Sequence, residues 1–256
     1  MRKMIAFDSE TLGLQPGSRI VELGAVLFDE TGILSRFESL INPEMPIPPD
    51  VLAIHGITDE MVKDAPDAGV VLENFLKWAD TDHLVAHNAP YDVGIVSWAA
   101  GQHGIVLPPM KVIDTAEIAK SIKLTKNNKL ATLVEFHGIQ VAGEAHRAMR
   151  DAEACAKYLL INAESLTERF IRPWQADYEY TADIPLNLAM LPECVASGKP
   201  MTFTYKDDAG KTTERTIIPY GWAMQGVFMF HGYCHLREER RSFRADRVVN
   251  VEAVAA

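Results

Sequence analysis

The sequence predicts an α/β domain followed by a second, small β-rich domain. Over residues 4–170, short apolar runs typical of strands alternate with segments whose apolar residues recur at helical spacing. After residue 189 the pattern changes to short strand-like runs separated by turn-forming residues. A mixed set of strands with enough helices to cover both faces of a sheet defines an α/β layer architecture for the first part.

The first domain should begin with a buried strand over residues 4–8. An antiparallel pair is expected over residues 19–29 and 33–41, with its turn at residues 30–32, and the prolines between residues 43 and 49 end the regular pairing. Short helices should follow, then strands over 83–86 and 111–114, a helix over 88–102, and a helix capped by Asp114 or Thr115. The longest helix is predicted over 148–170, with Ala152, Cys155, Leu159 and Leu166 on its apolar face.

Residues 171–188 carry prolines and aromatic residues without periodicity, so we interpret them as a linker that packs on another part of the protein. The predicted domains are therefore residues 1–170 and 189–256. In the second domain we expect a helix over 189–197 and strands over 201–205, 213–219, 227–236 and 248–254. Residues 206–211 have the composition of a hairpin turn.

Composition excludes several classes of protein. The 256 residues carry a formal charge of −10, and residues 190–256 hold nine Lys/Arg against eight Asp/Glu, so the acidity lies in the first part. A basic stripe for nucleic acid is therefore not expected, although bound divalent cations can reverse the sign at a carboxylate site. No 18 apolar residues run together, so no membrane span is expected. Three cysteines without C-x-x-C spacing, and no visible export signal, favour the cytoplasm.

Two carboxylates lie close to the end of the first predicted strand. Asp8 and Glu10 are two residues apart, and strand side chains repeat with period two, so both should project from one face. Paired acids raise each other's pKa unless a cation balances them, which makes a divalent metal their natural partner. The alternative is that Asp8 caps a turn and Glu10 is solvated.

Two further acids stand at predicted helix starts. Asp92 follows a strand and lies in the first helical turn after Asn88, where it could instead merely favour the helix dipole. Asp151 lies five residues after His146, a step of roughly 500° on a helix, so both can serve one site only if His146 precedes the helix. Gly143 makes such a loop plausible; the alternative is a surface histidine beside two arginines.

Together these segments resemble the DEDDh branch of the DnaQ-like 3′-to-5′ exonucleases, whose motifs read D-x-E-T-x-G, H-N-A-x-[FY]-D and H-R-A-x-x-D. The matching stretches are residues 8–13, 87–92 and 146–151, in that order, and the resemblance extends over residues 4 to about 165. It implies an RNase H-like fold with a mixed central sheet and helices on both faces. Leu12 stands where many relatives carry threonine, and Tyr91 where many carry phenylalanine.

The same resemblance implies the roles of individual residues. Two Mg²⁺ or Mn²⁺ ions would be held by Asp8, Glu10, Asp92 and Asp151, and His146 would take the proton of the attacking water. The 3′-terminal nucleotide would be held by Thr11, Leu12, His55, Gly56 and Ile57, with Asn88 supporting the site.

The C-terminal part resembles a WYL-type domain, a small β-rich module with an Sm-like barrel. The resemblance is carried by residues 197–199, 203–205, 214–219, 236–237 and 241–247, whereas the naming Trp-Tyr-Leu tripeptide is replaced by Phe228-Met229-Phe230. Such domains are associated with binding nucleic acid or a small ligand. An anion or nucleic-acid contact is predicted for Arg237, Arg241, Arg244 and Arg247, together with Arg240. The alternative is a surface of charge pairs with Glu238, Glu239 and Asp246.

The expected function is a metal-dependent 3′–5′ exonuclease that releases nucleoside 5′-monophosphates, with single-stranded DNA as first substrate. An RNA-trimming exoribonuclease is the alternative, because the same five residues serve both substrates and only the fit to a 2′-hydroxyl separates them. A non-enzymatic sensor acting through the WYL-like domain and a proofreading subunit with a polymerase partner are further hypotheses. Oligomeric state and membrane association are not indicated by any motif.

Overall fold

The structure is a computed structural model that describes residues 2–143 and 146–252. Its first sheet has six strands in the order β3-β2-β1-β4-β5-β6, in which β1 pairs antiparallel with β2 and parallel with β4. Its strands are β1 (Met4–Thr11), β2 (Ile20–Asp29), β3 (Gly32–Leu40), β4 (His83–Ala86), β5 (Lys111–Asp114) and β6 (Ile171–Pro173). The predicted mixed sheet is confirmed.

Helices cover both faces of this sheet because side chains alternate along β1. Ile5 and Phe7 pack with α3 and α4, whereas Met4 and Ala6 pack with α5, α6 and α7. The helices are α1 (Pro49–His55), α2 (Asp59–Val62), α3 (Ala68–Trp78), α4 (Ala89–Gln102), α5 (Thr115–Ile122), α6 (Leu130–His137) and α7 (Ala148–Ile161). Asp114 caps α5, as predicted, by accepting from the Ala116 amide at 2.8 Å.

The helix predicted over 148–170 is shorter than expected, because α7 ends at Ile161. The Asn162 side chain donates to the Tyr158 carbonyl at 2.9 Å and satisfies one of the last carbonyls of the helix. The chain then forms two 3-10 turns, which bring Leu166 and Phe170 onto the same apolar cluster as α7. The sequence keeps its helix-like spacing of apolar residues beyond Ile161 because the 3-10 turns bury their apolar residues in the same cluster as α7.

Residues 171–188 pack on both domains, because Trp174 and Tyr178 join the apolar cluster under the first sheet and Ile184 and Leu188 join that of the second. The strand within this segment was not expected. Residues Ile171–Pro173 add the edge strand β6, the Trp174 ring stacks on Phe7 at 5.7 Å, and the Tyr178 ring lies where any Cβ on Gly94 would be. The division at residues 170 and 189 stays a prediction.

The second sheet is five-stranded and antiparallel, in the order β10-β9-β8-β7-β11. It follows helix α8 (Leu191–Ser197) and consists of β7 (Met201–Lys206), β8 (Thr212–Gln225), β9 (Val227–Cys234), β10 (Glu239–Arg244) and β11 (Val248–Glu252). Strand β10 was not expected, because only Phe243 of its six residues is apolar. The predicted hairpin turn joins β7 to β8.

The two sheets are joined by contacts that include a buried hydrogen bond. The indole Nε1 of Trp98 on α4 donates to the Trp222 carbonyl on β8 at 2.7 Å, and the Tyr180 ring contacts both indoles. Among the described residues no helix combines the length and apolarity needed to cross a membrane.

Candidate active site

The first acidic pair lies at the carboxyl end of β1. Asp8 and Glu10 follow Met4 and Ala6 at period two, so they occupy the face of the sheet on which α7 packs. Both side chains are half-buried. The predicted shared face for the two carboxylates is therefore present in the fold.

Asp92 reaches the same strand end from α4. It lies in the first turn of that helix, is 3% exposed, and one carboxylate oxygen accepts from the Ser9 amide at 3.0 Å and the Ser9 hydroxyl at 2.6 Å. Ser9 points to the opposite face from Asp8, so these bonds tie Asp92 to the segment between the two β1 acids. Asn88 is the residue before α4, but its side chain makes no capping hydrogen bond. Its backbone amide donates to the Asp114 side chain at 2.9 Å.

His146 lies on the loop before α7, which is the arrangement required for it to share a site with Asp151. It is exposed, with a left-handed φ of 58°, whereas Asp151 is on the first turn of the helix. One ligand atom each from Glu10, His146 and Asp151 lies within 4.8 Å of the other two. Two segments far apart in the chain, the end of β1 and the start of α7, therefore meet at one point. Asp8 and Asp92 are not members of this tight cluster.

Glu22 holds the start of α7 against the sheet, and sequence reasoning did not identify it. It is fully buried opposite Glu10 in the β1–β2 pairing, and its two oxygens accept from Arg147 Nε at 3.1 Å each. The Ala148 amide also donates to Glu22, at 2.8 Å. The only sequence signal was Arg147, a cation inside the third motif with no assigned partner.

Gly24 lets the α7 backbone lie directly on β2. An added Cβ at this position would be 2.2 Å from the Met149 amide nitrogen and 2.4 Å from the Ala148 carbonyl carbon. Both distances are too short for any residue other than glycine. The close approach and the Glu22 contacts together place His146 and Asp151 beside β1.

The carboxylates oppose one another's ionisation. Burial, followed by the charges of Asp92 and Glu10, raises the pKa of Asp8 well above its ordinary value. Burial and then the charge of Asp151 raise the pKa of Glu10 to about 8. Burial raises the pKa of Asp92 to about 7, against the hydrogen bonds from Ser9. A divalent cation among these groups would relieve this repulsion, so the donor set fits a hard metal ion.

The residues predicted to hold the terminal nucleotide adjoin this site. Thr11 ends β1, and its hydroxyl is 2.5 Å from that of Tyr91 and donates to the Gly13 carbonyl at 2.8 Å. His55 ends α1 and is buried, which lowers its pKa, and its Nδ1 accepts from the Ile57 amide at 3.0 Å. Three of the predicted residues offer little side-chain surface or none; these are Leu12 at 3% exposure, Ile57 at 0% and Gly56.

Three of the four arginines predicted to contact an anion make ion pairs. Arg241 pairs with Glu239 at 2.6 Å, Arg244 pairs bidentately with Asp246 at 2.7 and 3.0 Å, and Arg247 pairs with Asp208. Arg237 is exposed. The charge-pair alternative therefore describes these contacts, with Asp208 as an unexpected partner. Arg240 points elsewhere, into the first domain.

The mixed sheet and its acidic cluster define a nuclease-type domain, and comparison with known proteins assigns the family. The sequence model of the exonuclease family matches residues 5–159, and that of the WYL domain matches residues 187–253. The chain belongs to the exonuclease family, and the match to the WYL domain lies after its exonuclease domain. Exonucleases of this type depend on divalent metal ions.

Curated relatives that it matches include PolC-type DNA polymerases. The chain is 38% identical over 168 residues to a PolC-type DNA polymerase III of Caldanaerobacter subterraneus subsp. tengcongensis, and 36% identical over 172 residues to that of Bacillus subtilis. These alignments include 65% and 66% of this chain but 12% of each polymerase. The chain thus spans about an eighth of the length of these relatives.

Solved structures share the fold of the first domain. Exonuclease X in complex with 5′-overhanging duplex DNA is 26% identical with a TM-score of 0.52, covering 65% of this chain and 96% of that one. The nuclease domain of 3′hExo, a DEDDh family member bound to rAMP, is 18% identical with a TM-score of 0.54, covering 68% and 96%.

Proposed function

We propose that this protein is a metal-dependent exonuclease that removes nucleoside 5′-monophosphates from the 3′ ends of nucleic acid. The observation that carries the proposal is the meeting of Glu10, His146 and Asp151 within 4.8 Å, beside Asp8 and Asp92. The five residues come from β1, α4 and the start of α7, and none of the acids or the base is missing.

The metal-holding residues in this proposal are Asp8, Glu10, Asp92 and Asp151. When bound, two Mg²⁺ or Mn²⁺ ions would supply activation of a water molecule and stabilisation of the charge that develops at the phosphate. The raised pKa values of Glu10 and Asp92 support a cation at this position, because burial and like charges disfavour both carboxylates in the ionised form.

His146 would accept the proton of the attacking water. Its loop position leaves the imidazole exposed next to Glu10 and Asp151, so it can reach a solvent molecule held there. Imidazole is the side chain whose ordinary pKa suits proton transfer near neutral pH.

DNA is the substrate we propose, with single-stranded 3′ ends first. The relatives are DNA polymerases, and Exonuclease X is described with duplex DNA. RNA trimming is the competing assignment, because another structural neighbour is described with a histone mRNA stem-loop. We also place the protein in the cytoplasm, since its three cysteines are free and buried thiols.

The test compares matched 3′-labelled and 5′-labelled single-stranded DNA and RNA with Mg²⁺, Mn²⁺ or EDTA. Wild-type protein should shorten DNA from its 3′ end only with metal, and Asp8→Asn should lose this activity, because the amide keeps the shape but not the charge. Asp29→Asn is the matched control, since Asp29 is a half-buried acid at the far end of β2 that accepts hydrogen bonds from Thr31. Faster RNA shortening would reassign the substrate. If neither DNA nor RNA is shortened with either metal, the exonuclease proposal is refuted.

A proofreading role is the second candidate, and the PolC relatives favour it, because in them the matched segment is one part of a polymerase. We propose that a separate polymerase would be the partner. Purified polymerase and this protein should then co-elute, and excision of a mismatched 3′ end should be faster than that of a paired end. Equal excision of both ends without co-elution would reject it.

A further inference from the structure

The second domain holds the segment that follows the two acids of β1. After a register shift at Glu10, the β1–β2 pairing continues to Thr11, and the Leu12 amide donates to the Arg19 carbonyl at 2.9 Å. Farther along the segment, Tyr220 of β8 donates to the Gln15 side chain at 3.0 Å, and a Cβ on Gly221 would be 2.7 Å from the Gly17 carbonyl oxygen. The backbone after β1 therefore lies directly on the second sheet.

Arg240 of β10 contacts the chain two residues after Glu10. Its Nη1 donates to the Leu12 carbonyl and its Nη2 pairs with Asp50 at 2.9 Å. Its guanidinium lies 5.5 Å from the centre of the Tyr220 ring. The side chain is 13% exposed. A guanidinium held by two acceptors and a ring face has little freedom to move.

The two acceptors belong to different walls beside the carboxylate site. Leu12 is two residues after Glu10, and Asp50 is in the first turn of α1, the helix that ends at His55. Leu12 and Val51 of α1 are buried in one apolar cluster, so Arg240 and this cluster together hold the strand end against the helix.

We propose that Arg240 is a positioning residue through which the WYL domain fixes the wall formed by Leu12 and α1 next to the metal-holding acids. This inference rests on the exonuclease function proposed above. Asp8 and Glu10 keep their places through pairing with Gly24 and Glu22, so the chemistry itself does not depend on Arg240. The wall beside them does, and that is where the nucleotide next to the reacting phosphate must lie. The second domain is thus part of substrate binding and not a separate module.

The test is steady-state kinetics of the full chain on single-stranded DNA with Mg²⁺. Arg240→Ala should raise KM roughly tenfold, which corresponds to about 1.4 kcal/mol, and leave kcat within about threefold. Asp50→Asn removes only the ion pair and should raise KM by roughly threefold. Hydrogen exchange of the amides of residues 12–17 should become faster in Arg240→Ala, whether or not DNA is present.

Arg169→Ala is the matched control. Arg169 also lies over a ring, 4.6 Å from the centre of Phe170, and bonds to Ser121, but within the first domain. It should change neither KM nor exchange at residues 12–17. If the wild type is active and Arg240→Ala has the same KM, the inference is overturned, even if hydrogen exchange in the variant is faster. An inactive wild type would instead refute the exonuclease itself.

Discussion

Arg147→Ala should destabilise the protein because it leaves a buried carboxylate without its cation. Glu22 is fully buried, whereas the Arg147 side chain is 32% exposed. Removing one partner of a buried ion pair costs about 3–5 kcal/mol. The Ala148 amide would still donate to Glu22, and water can reach the vacated arginine position, so we expect the lower end, about 3 kcal/mol. Urea unfolding measured by circular dichroism gives this difference as a shift in midpoint at constant slope.

Two further variants isolate the cause. Adding Glu22→Gln to Arg147→Ala should recover about 1–2 kcal/mol, because a neutral amide costs less to bury unpaired than a charge does. Arg36→Ala is the control, since Arg36 is 54% exposed and its partner Glu153 also pairs with Lys157; the change should stay within about 0.5 kcal/mol. A loss below about 1 kcal/mol for Arg147→Ala, or further destabilisation by Glu22→Gln, would refute the reasoning.

Three other predictions concern the acids and the domain contact. The pKa of Glu10 is about 8 in the folded protein against 4.5 ordinarily, so its ionisation opposes folding increasingly between these values. In EDTA, Glu10→Gln should therefore raise the melting temperature more at pH 8 than at pH 5. Ser9→Ala removes the 2.6 Å bond to Asp92 and should cost about 1.5 kcal/mol in urea unfolding, while raising the Mg²⁺ concentration for half-maximal activity. Trp98→Phe removes the buried indole bond to the Trp222 carbonyl and should cost about 1–2 kcal/mol in thermal unfolding.

Each of these has an opposite outcome. An equal or larger benefit of Glu10→Gln at pH 5 would contradict the raised pKa. An unchanged Mg²⁺ requirement in Ser9→Ala would show that the serine does not orient Asp92. A Trp98→Phe protein as stable as wild type would mean that the indole bond adds nothing to the domain contact.

Local sequence patterns predicted five of the six strands of the first sheet and missed β6, whose residues were assigned to the linker. Strands β4 and β5 have the expected bounds, because runs of four residues between turn residues are too short to form a helix. The same rule missed β10, whose pairing with β9 depends on backbone bonds and on Phe243 rather than on an apolar run. It also overextended α7, because Leu166 and Phe170 bury the same face from 3-10 turns.

The sequence by itself predicted the site residues, since acids and histidine at short fixed spacings identify the motifs without reference to distant residues. Only the tertiary structure decided what holds them in place. Glu22 meets Arg147 across 125 residues, and Arg240 meets Leu12 across 228. Neither partner lies within the span of a helix or strand period of the other, so no local pattern can encode these contacts. They arise because two sheets and one helix pack against the same strand end.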